Sequence, residues 1–482
     1  MYDSKRGLPL RSNAINKILE EVLEKIKPTR EEREKILSLA EKLCSNLKKE
    51  LGRANLKAEV RVEGSVAKDT WLSENPDIDI FVRFPPVFPK EKFRTEFLQI
   101  AKKATKGAKH VERFAEHPYL EAWVDAVRVN IVPCYASKPR EWKSATDRTP
   151  YHTDYVKRLL NEQLCDEIRL LKKFMQGIGV YGAEIKIGGF SGYLCELLVI
   201  KYGSFKKVLE NFAKWKGRLV IDLEKYYENK ERDLDLMFKE PLIVVDPVDE
   251  SRNVAAAVRE KHLYEFIAAS RHFLENPSTK YFYPPEIIPP SKEELIQNIR
   301  SRGTTLTFLK IGCVEAVPDI LWGQIYKSQR SLRKMFKQYE FRLIRDAVWS
   351  DEKNSIVMIF EFESGRIPPL KKHLGPPLVK ANECQKFLSK HTRSKERFSG
   401  PYIEDSRWIV EIRRKYSDVT ELIREKLRNG GKNAGIANLV AEGLRKEFKI
   451  YLNEEIADFY ASNMDFAKFL VDYLDGRPKW LR

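Results

Sequence analysis

Hydrophobic and polar residues alternate over two stretches near the N-terminus, and each stretch predicts a β-strand. Residues 57–63 and 77–84 follow this period of two, in which successive side chains point to opposite faces. Residues 14–52 instead carry apolar side chains at helical spacing, which predicts two helices before the first strand. The same reasoning predicts a helix at 90–105 and strands near 109–115, 119–125 and 126–132. The pattern therefore predicts a mixed sheet with flanking helices.

The pattern becomes mainly helical from Tyr151 to about Lys201, and residues 237–247 are typical of a buried extended segment that leads into a helix after Asn253. Prolines at 275–292 mark a further boundary. Beyond it we predict strands at 304–311, 341–349, 355–363 and 407–413, and helices at 319–336, 418–428, 433–447 and 453–474. We therefore expect an α+β multidomain protein with four parts, at 1–150, 151–275, 276–400 and 401–482.

The amino-acid composition indicates which class of molecule the protein binds. The chain has 482 residues, too many for one compact core, and Lys plus Arg exceed Asp plus Glu by 17 (87 − 70), which is typical of proteins that bind polyanions. The sequence has no apolar run of about 18 residues and no signal-peptide core, so we expect neither membrane insertion nor secretion. Six cysteines without a C-x-x-C pair are expected to be reduced core residues. Nucleic acid is the favoured partner.

Two carboxylates share one face of the second predicted strand. Asp77 and Asp79 are two residues apart, so their side chains point the same way, while Ile78 and Ile80 point to the opposite face. Two such anions repel each other unless a cation bridges them. Oxygen ligands of this kind suit Mg²⁺, which usually binds through one or two carboxylates and the phosphates of a substrate. Taken alone, an Asp-x-Asp on a strand is as typical of a solvent-facing edge.

The first strand ends at Gly64-Ser65, and a short helical stretch is expected to follow it. Free backbone N–H groups at that point and the Ser65 hydroxyl are suited to hold a triphosphate. A Gly-Ser pair alone is a weak signal. Together with Asp77 and Asp79, twelve and fourteen residues after Ser65, it predicts a site for Mg²⁺ and a nucleoside triphosphate.

With these motifs the chain resembles the nucleotidyltransferase superfamily of DNA polymerase β and the poly(A) polymerases, and more narrowly the archaeal CCA-adding enzymes (class I tRNA nucleotidyltransferases). The narrower resemblance rests on further motifs in the same order, which cover most of residues 60–255: Ala115-Glu-His-Pro-Tyr119, Val132-Pro-Cys-Tyr135, Asp147-Arg-Thr-Pro150, Val180-Tyr-Gly-Ala-Glu184, Gly189-Phe-Ser-Gly-Tyr-Leu-Cys-Glu-Leu-Leu198 and Val245-Asp-Pro-Val-Asp-Glu-Ser-Arg-Asn-Val254. Beyond about residue 280 it rests on element order and composition.

The resemblance implies a nucleotidyltransferase-type mixed sheet, a helical central domain that selects the nucleotide, and C-terminal α/β domains that bind the acceptor stem and elbow of tRNA. It implies template-independent addition of CCA to the tRNA 3′ end from CTP and ATP, with Mg²⁺ as cofactor. The residues that it implies for the phosphates, the ribose and the base are Gly64, Ser65, Lys68, His152, Lys172, Tyr181 and Arg252. Without the motifs, His152 and Lys172 are as typical of surface residues, and Arg252 of a charge at a helix start.

The resemblance also places a third metal-binding carboxylate immediately before the Val-Pro-Cys-Tyr motif, where this chain has Asn130. An amide keeps one oxygen ligand but loses the charge that favours the ion, so catalysis is expected to suffer more than binding. Asp125 lies on the opposite face if 125–132 is one uninterrupted strand. The sequence allows either a natural protein with weakened catalysis or a substitution introduced to trap a complex.

Two other functions stay open at this point: a tRNA-binding protein with impaired catalysis, which Asn130 favours, and a poly(A) polymerase-like terminal nucleotidyltransferase, which the downstream motifs disfavour. We expect RNA contacts from basic runs in the second half of the chain, at 327–334, 371–373 and 390–397. A cytoplasmic location follows from the expected substrate. A homodimer is compatible with the resemblance, but the sequence does not fix the oligomeric state.

Overall fold

The computed structural model describes residues 8–114 and 117–482, and these residues form two units. The first unit runs to Glu286 and also contains Arg477–Arg482, and the second unit is Ile287–Gly476. The expected α+β class, with a mixed sheet, many helices and further C-terminal sheets, is confirmed. The expected division into four parts is finer than these two units and stays a prediction.

The first unit contains ten helices within the described residues: α1 (Leu8–Ile26), α2 (Arg30–Arg53), α3 (Gly64–Ala67), α4 (Leu98–Ala104), α5 (Thr149–Leu159), α6 (Glu162–Gly177), α7 (Gly192–Tyr202), α8 (Phe205–Ala213), α9 (Glu231–Met237) and α10 (Glu260–Glu275). Its strands are β1 (Glu59–Glu63), β2 (Asp77–Phe84), β3 (Lys109–Phe114), β4 (Pro118–Val124), β5 (Val127–Tyr135), β6 (Leu219–Ile221), β7 (Leu242–Asp246) and β8 (Asp249–Asn253).

The five-stranded sheet of this unit has the order β1-β2-β5-β4-β3. Strands β2 and β5 run parallel, and the other pairs are antiparallel. One face of the sheet is apolar because Ile78, Ile80, Val129 and Ile131, all fully buried, point into a core that α2 and α4 cover. The opposite face of β2 and β5 therefore carries the polar residues of the sheet.

The turn between β4 and β5 corrects one expectation. Asp125 and Ala126 both have positive φ, 49° and 64°, which is the backbone that tight two-residue hairpin turns require. The strand therefore begins at Val127, and the premise that 125–132 is one uninterrupted strand was wrong. Asp125 lies in the turn itself, beyond the end of the row of strand residues. Of the motif at 115–119, Ala115 and Glu116 lie outside the described residues.

A second correction concerns the residues after 237. They form the β-hairpin β7–β8, whose strands pair antiparallel, and α10 begins only at Glu260. No helix therefore starts at Asn253, and the alternative interpretation of Arg252 as a helix-start charge was wrong. Asn253 instead closes the hairpin, because its side chain accepts from Val244 N and donates to Leu242 O.

The second unit contains the helices α11 (Lys292–Ser301), α12 (Pro318–Gln338), α13 (Ala381–His391), α14 (Val419–Leu427), α15 (Asn438–Lys446), α16 (Ala457–Ser462) and α17 (Met464–Asp475). Its strands are β9 (Thr305–Gly312), β10 (Leu343–Ser350), β11 (Ser355–Phe362), β12 (Leu370–Pro377), β13 (Arg397–Glu404), β14 (Arg407–Arg413) and β15 (Phe448–Leu452). They form one sheet of order β10-β11-β9-β15 and another of order β12-β14-β13.

Several features of this unit were not predicted, the helices α11 and α13 among them. Strands β12 and β13 form a sheet around β14, although β12 ends in Gly-Pro-Pro, which is a weak strand signal. Strand β15 lies in the gap between the helices expected at 433–447 and 453–474, and it pairs with β9 from more than 130 residues earlier. The helix expected at 453–474 is divided at Asn463, whose side chain caps α17.

The last six residues of the chain belong to the first unit. Trp480 is buried there, its ring stacks on Tyr281 with the centroids 5.6 Å apart, and its Nε1 donates to Glu265 Oε1 at 3.2 Å. The second unit is therefore inserted between two segments of the first. Among the described residues, no helix combines the length and the apolarity needed to cross a bilayer.

Candidate active site

Asp77 and Asp79 lie at the start of β2 on its polar face. In the parallel pair with β5, Asp77 lies opposite Arg128 and Asp79 opposite Asn130. Removal from water is the main cause that raises the pKa of Asp79 to about 6; the charge of Asp77 adds to this, and the amide of Asn130 opposes it. The two carboxylates are therefore arranged side by side, at the cost of mutual repulsion.

Two side chains of β5 contact these carboxylates. Arg128 donates from Nε to Asp77 Oδ1 at 2.8 Å and from Nη2 to the other carboxylate oxygen, so the contact is a two-pronged fork. Asn130 donates from Nδ2 to Asp79 Oδ1 at 2.9 Å. Within residues 8–114 and 117–482, no group of three or more His, Cys, Asp or Glu side chains could hold a metal ion. The donor set at this place is two carboxylates and an amide.

Gly64 and Ser65 begin α3, directly beside Asp79. Gly64 has φ = 71°, and a Cβ at this position would overlap the Asp79 carboxylate. Glycine is thus needed for two reasons: the backbone conformation and the close approach of Asp79. Ser65 N and its hydroxyl lie on the first turn of α3, and its carbonyl accepts from Thr70 N at 2.9 Å. The chain therefore places Gly64-Ser65 next to the carboxylate pair.

Two further carboxylates lie in the same row of the sheet and were not singled out from the sequence. Glu63 is opposite Asp79 on β1 and is fully buried, and burial raises its pKa. Glu121 is opposite Asn130 on β4 and accepts from Arg113 Nη2 at 3.2 Å. The alternation of β4 could have indicated Glu121, since its side chain shares the face of Tyr119 and Trp123.

Lys68 and Lys172 converge on a buried glutamate, Glu196 of α7. Lys68 Nζ lies 2.5 Å from Glu196 Oε2, and Lys172 Nζ lies 3.2 Å from Oε1. The same Oε1 accepts from the Thr70 hydroxyl at 2.7 Å. Burial favours the neutral acid, but the charges of the two lysines outweigh it and lower the pKa of Glu196 to about 2. The interpretation of Lys172 as a surface charge was wrong, since it is 2% exposed.

Tyr181 lies against the same cluster. A Cβ at Gly192 would lie 3.0 Å from the Tyr181 hydroxyl and 3.5 Å from Lys172 Cε. Burial raises the pKa of Tyr181 well above its ordinary value. Gly179 and Gly182 on either side have positive φ, 81° and 122°, so the backbone around Tyr181 has a conformation that L-residues rarely adopt.

His152 and Arg252 meet at Asp246, the last residue of β7. His152 Nε2 lies 2.9 Å from Asp246 Oδ2, and Arg252 Nη1 donates to the same oxygen at 2.7 Å. Tyr193 donates to Asp246 Oδ1 at 3.2 Å and stacks on the His152 ring with the centroids 4.1 Å apart. Burial lowers the pKa of His152, and the contact with Asp246 partly offsets this. His152 is not a surface residue.

The two clusters are continuous through Tyr193. Lys68 Nζ lies 5.8 Å from the centroid of the Tyr193 ring, within the range of a cation–π contact. The charge of Lys68 also lowers the pKa of Asp79, so the lysine cluster acts electrostatically on the carboxylate pair. The structure thus brings together the ten residues that the sequence singled out. It adds Asp246 and Glu196, which both lie inside the quoted motifs.

Three family models match the chain in sequence order. Residues 44–152 match the nucleotidyltransferase domain, residues 166–283 the second domain of tRNA nucleotidyltransferase, and residues 302–453 the C-terminal domain of the CCA-adding enzyme. The boundary between the last two matches, at 283–302, contains the boundary between the two units of the fold.

Curated relatives extend the similarity over nearly the whole chain. The CCA-adding enzyme of Methanosarcina barkeri is 38% identical over 453 residues, which cover 90% of this chain and 97% of the relative. The CCA-adding enzyme of Methanothermobacter thermautotrophicus is 33% identical over 462 residues, 94% of this chain and 97% of the relative. A solved structure of a cytoplasmic RNA terminal U-transferase has 16% identity and a TM-score of 0.43, over 56% of this chain and 98% of that chain.

Proposed function

The chain belongs to the archaeal CCA-adding enzymes, which add CCA to the 3′ end of tRNA without a template, and we propose that its Asp77–Asp79 site carries out the transfer of CMP and AMP. The observation that carries this proposal is the convergence on one cluster of the carboxylate pair, Gly64 beside Asp79, and two buried lysines. In the reaction the RNA 3′-oxygen attacks the α-phosphorus of the nucleotide, and pyrophosphate leaves with the electron pair of the broken bond.

Each residue of the cluster has a role in this proposal. Lys68 and Lys172 hold the triphosphate, and Glu196 fixes the direction of their ammonium groups. Ser65 binds a phosphate, and Tyr181 and His152 orient the ribose and the phosphates. Arg252 presents donors to the edge of the base, which selects cytosine and adenine together with the RNA end. Asp246 positions Arg252, because it accepts from that side chain.

Members of the nucleotidyltransferase family use divalent metal ions, and we propose Mg²⁺ for this chain. Asp77 and Asp79 fit one such ion, since they are hard oxygen donors on one face of β2 and since their mutual repulsion favours a bridging cation. When bound, the ion neutralises the triphosphate and orients it. The donor set for a second ion does not fit, because position 130 is an amide whose nitrogen already faces Asp79.

Asn130 supports the further proposal that catalysis is weakened while binding is kept. If residue 130 acts only on the attacking hydroxyl, the Asn130→Asp variant should bind CTP, ATP and tRNA about as well as the chain with Asn130. The variant should add nucleotides faster by roughly two orders of magnitude, or about 2.7 kcal/mol of barrier. Equal single-turnover rates for the two forms would contradict this assignment. An impaired tRNA-binding protein is the second candidate function, and Asn130 is the observation that favours it.

One assay tests the function as a whole. Pure protein is incubated with tRNA that lacks its terminal CCA, with Mg²⁺ and with each nucleoside triphosphate in turn. Addition of two cytidines and one adenosine is the expected result, and long homopolymers on unstructured RNA would indicate a poly(A) polymerase-like enzyme instead. Binding of tRNA without addition by either the chain with Asn130 or its Asn130→Asp variant would indicate a tRNA-binding protein.

Because tRNA is the substrate, we further propose that the protein acts in the cytoplasm. A homodimer is the assembly that the family resemblance allows, and sedimentation velocity would test it. The four-part division at 150, 275 and 400 is likewise proposed, with the parts after 275 binding the acceptor stem and the elbow of tRNA. Limited proteolysis in the presence and absence of tRNA would locate these boundaries.

A further inference from the structure

Strand β5 presents a cation where the reaction needs positive charge. Arg128 and Asn130 are two residues apart, so they share the polar face of β5, and they lie directly opposite Asp77 and Asp79. The Arg128 guanidinium forms its fork with Asp77, yet the side chain is 47% exposed. It is thus a charged group at the open edge of the site, held by a single carboxylate.

The surroundings of position 130 disfavour a second divalent ion. Asn130 offers one neutral oxygen, and its nitrogen is directed at Asp79. The next carboxylate in the row, Glu121, is paired with Arg113. Arg128 stands two residues away on the same face and brings a positive charge to this end of the site. The place where a second ion would activate the hydroxyl therefore has too few anionic ligands.

We propose that Arg128 does the work of the second metal ion in this chain, so that the site operates with one divalent ion and one guanidinium. This inference rests on the proposed function. With a nucleotide bound, the guanidinium turns from Asp77 to the α-phosphate and to the RNA 3′-oxygen. Its planar set of five donors matches the phosphate oxygens, and it stays charged at any pH that the protein tolerates.

The step balances without any further reactant. The RNA 3′-oxygen forms a bond to the α-phosphorus, and the bond from this phosphorus to the pyrophosphate oxygen breaks. Pyrophosphate leaves with the electron pair, and the hydroxyl proton passes to solvent water. Arg128 neutralises charge on the α-phosphate but takes up no proton, since a guanidinium is already protonated.

A double-mutant cycle tests this role. Arg128→Gln is made in the chain with Asn130 and in the Asn130→Asp variant, and single-turnover addition of CMP to tRNA is measured for all four proteins. We expect Arg128→Gln to lower the rate roughly 100-fold in the chain with Asn130, which is typical of removing one donor to developing charge. In the Asn130→Asp background, where a carboxylate can recruit the second ion, the loss should be less than about threefold.

Two further variants make the comparison specific. Arg128→Lys keeps the charge without the fork and should retain the rate within about tenfold of the chain with Arg128 and Asn130. Arg113→Gln is the matched control, because it removes an arginine that pairs with a carboxylate of the same sheet, Glu121, but does not contact Asp77. Arg113→Gln should change the rate of CMP addition by the same factor with Asn130 and in the Asn130→Asp variant. Arg128→Met is made as well, so that the double-mutant cycle can still be measured if Arg128→Gln does not fold.

A count of bound ions gives a readout other than rate. Mn²⁺ is titrated into protein that holds a non-hydrolysable CTP analogue and a tRNA with a 3′-deoxy end, and bound ions are counted by electron paramagnetic resonance. One ion per site is expected for the chain with Asn130 and for its Arg128→Gln variant, and two ions for Asn130→Asp.

Two ions in the chain with Asn130, or an equal loss of rate from Arg128→Gln in both backgrounds, would overturn the proposal for Arg128. Failure of every form, Asn130→Asp included, to add CMP or AMP to tRNA would instead overturn the proposed function. The two failures are therefore distinguishable.

Discussion

Two carboxylates of the site are both removed from water, yet their pKa values shift in opposite directions. The pKa of Asp79 rises to about 6, because burial is joined by the negative charge of Asp77. The pKa of Glu196 falls to about 2, because two ammonium groups outweigh the effect of burial. A bound cation would therefore stabilise the ionised form of Asp79, whereas Glu196 is already paired with the ammonium groups of Lys68 and Lys172.

Replacement of Asp77 should abolish nucleotide binding that depends on Mg²⁺. In Asp77→Ala the remaining carboxylate cannot hold the metal of the nucleotide alone, and Arg128 loses its partner. Transfer to tRNA should fall by at least about 1000-fold, or roughly 4 kcal/mol of barrier. Calorimetric titration of CTP with and without Mg²⁺ measures the effect on binding. Unchanged affinity for CTP in the presence of Mg²⁺ would refute the assignment of this site.

Replacement of Glu196 should destabilise the protein at neutral pH. Glu196→Gln leaves the ammonium groups of Lys68 and Lys172 buried without a counter-charge, which typically costs about 3–5 kcal/mol. Urea unfolding at pH 7 measures this loss. Thr70→Val is the control, because it removes a hydroxyl that donates to Glu196 Oε1 and accepts from Lys172 Nζ at 3.0 Å but leaves all three charges in place. It should cost less than Glu196→Gln, about 1.5–3 kcal/mol.

The same residue predicts a dependence of stability on pH. The folded-state pKa of Glu196, about 2, is below its ordinary value of 4.5, so its contribution is complete above pH 4.5 and is lost as the pH falls toward 2. The chain with Glu196 should therefore lose stability over this window more steeply than Glu196→Gln. Parallel unfolding slopes for the two proteins would show that the glutamate is not ionised in the folded state.

Secondary structure elements show where prediction from the sequence succeeds. The bounds of β2, Asp77–Phe84, and of β14, Arg407–Arg413, agree with the prediction. Pro76 and Pro85 flank β2 in the sequence and mark its ends. Alternation over the first four residues of β2 correctly places Asp77 and Asp79 on one face. These features depend on neighbours in the sequence alone.

The structural features that were not predicted from the sequence depend on contacts between residues far apart in the chain. The pairing of Lys68 with Glu196 spans 128 residues, and that of Arg128 with Asp77 spans 51. Strand β15 has only five residues, and its pairing partner β9 lies more than 130 residues earlier in the chain. The turn at Asp125–Ala126 was missed for another reason, since Ala is an unusual residue at a positive φ.

That turn leads to a prediction about the β4–β5 hairpin. Ala126 has φ = 64°, where glycine is favoured by about 1 kcal/mol over residues with a Cβ. Ala126→Gly should therefore raise the free energy of unfolding by about 1 kcal/mol and leave transfer unchanged. The hairpin β13–β14 has the same turn at Asp405–Ser406, with φ of 45° and 64°. Ser406→Gly should act in the same direction, and a destabilised Ala126→Gly would contradict the assigned turn.

For the whole molecule, the excess of 17 positive charges predicts that tRNA binding weakens steeply with salt. The basic run at 327–334 lies on α12, where Lys327, Arg330, Arg333 and Lys334 are exposed. If about six phosphates are neutralised, affinity should fall about 1000-fold between 50 and 200 mM salt. Filter binding across a salt series measures this slope, and equal affinity for unstructured single-stranded RNA would favour the polymerase-like alternative.

Charge-reversal variants test whether the basic residues of α12 contact tRNA. The triple variant Lys327→Glu, Arg330→Glu and Lys334→Glu should weaken binding and reduce the salt slope by about three. A matched triple reversal on α2, at the exposed residues Lys42, Lys48 and Lys49, has the same charge change and should leave the slope nearly unchanged. Equal effects of the two triple variants would show that net charge alone, and not α12, determines binding.

Because Trp480 belongs to the first unit, the core of this unit cannot be fully packed until residues 477–482 have been synthesised. Tyr281 and Glu265, which Trp480 contacts, are synthesised roughly 200 residues before it. At about 5–20 residues per second this interval is about 10–40 s. During that time the core of the first unit has an unfilled place for a tryptophan ring while the second unit emerges. Nascent chains arrested before residue 477 should thus be more sensitive to protease near Tyr281 than full-length chains.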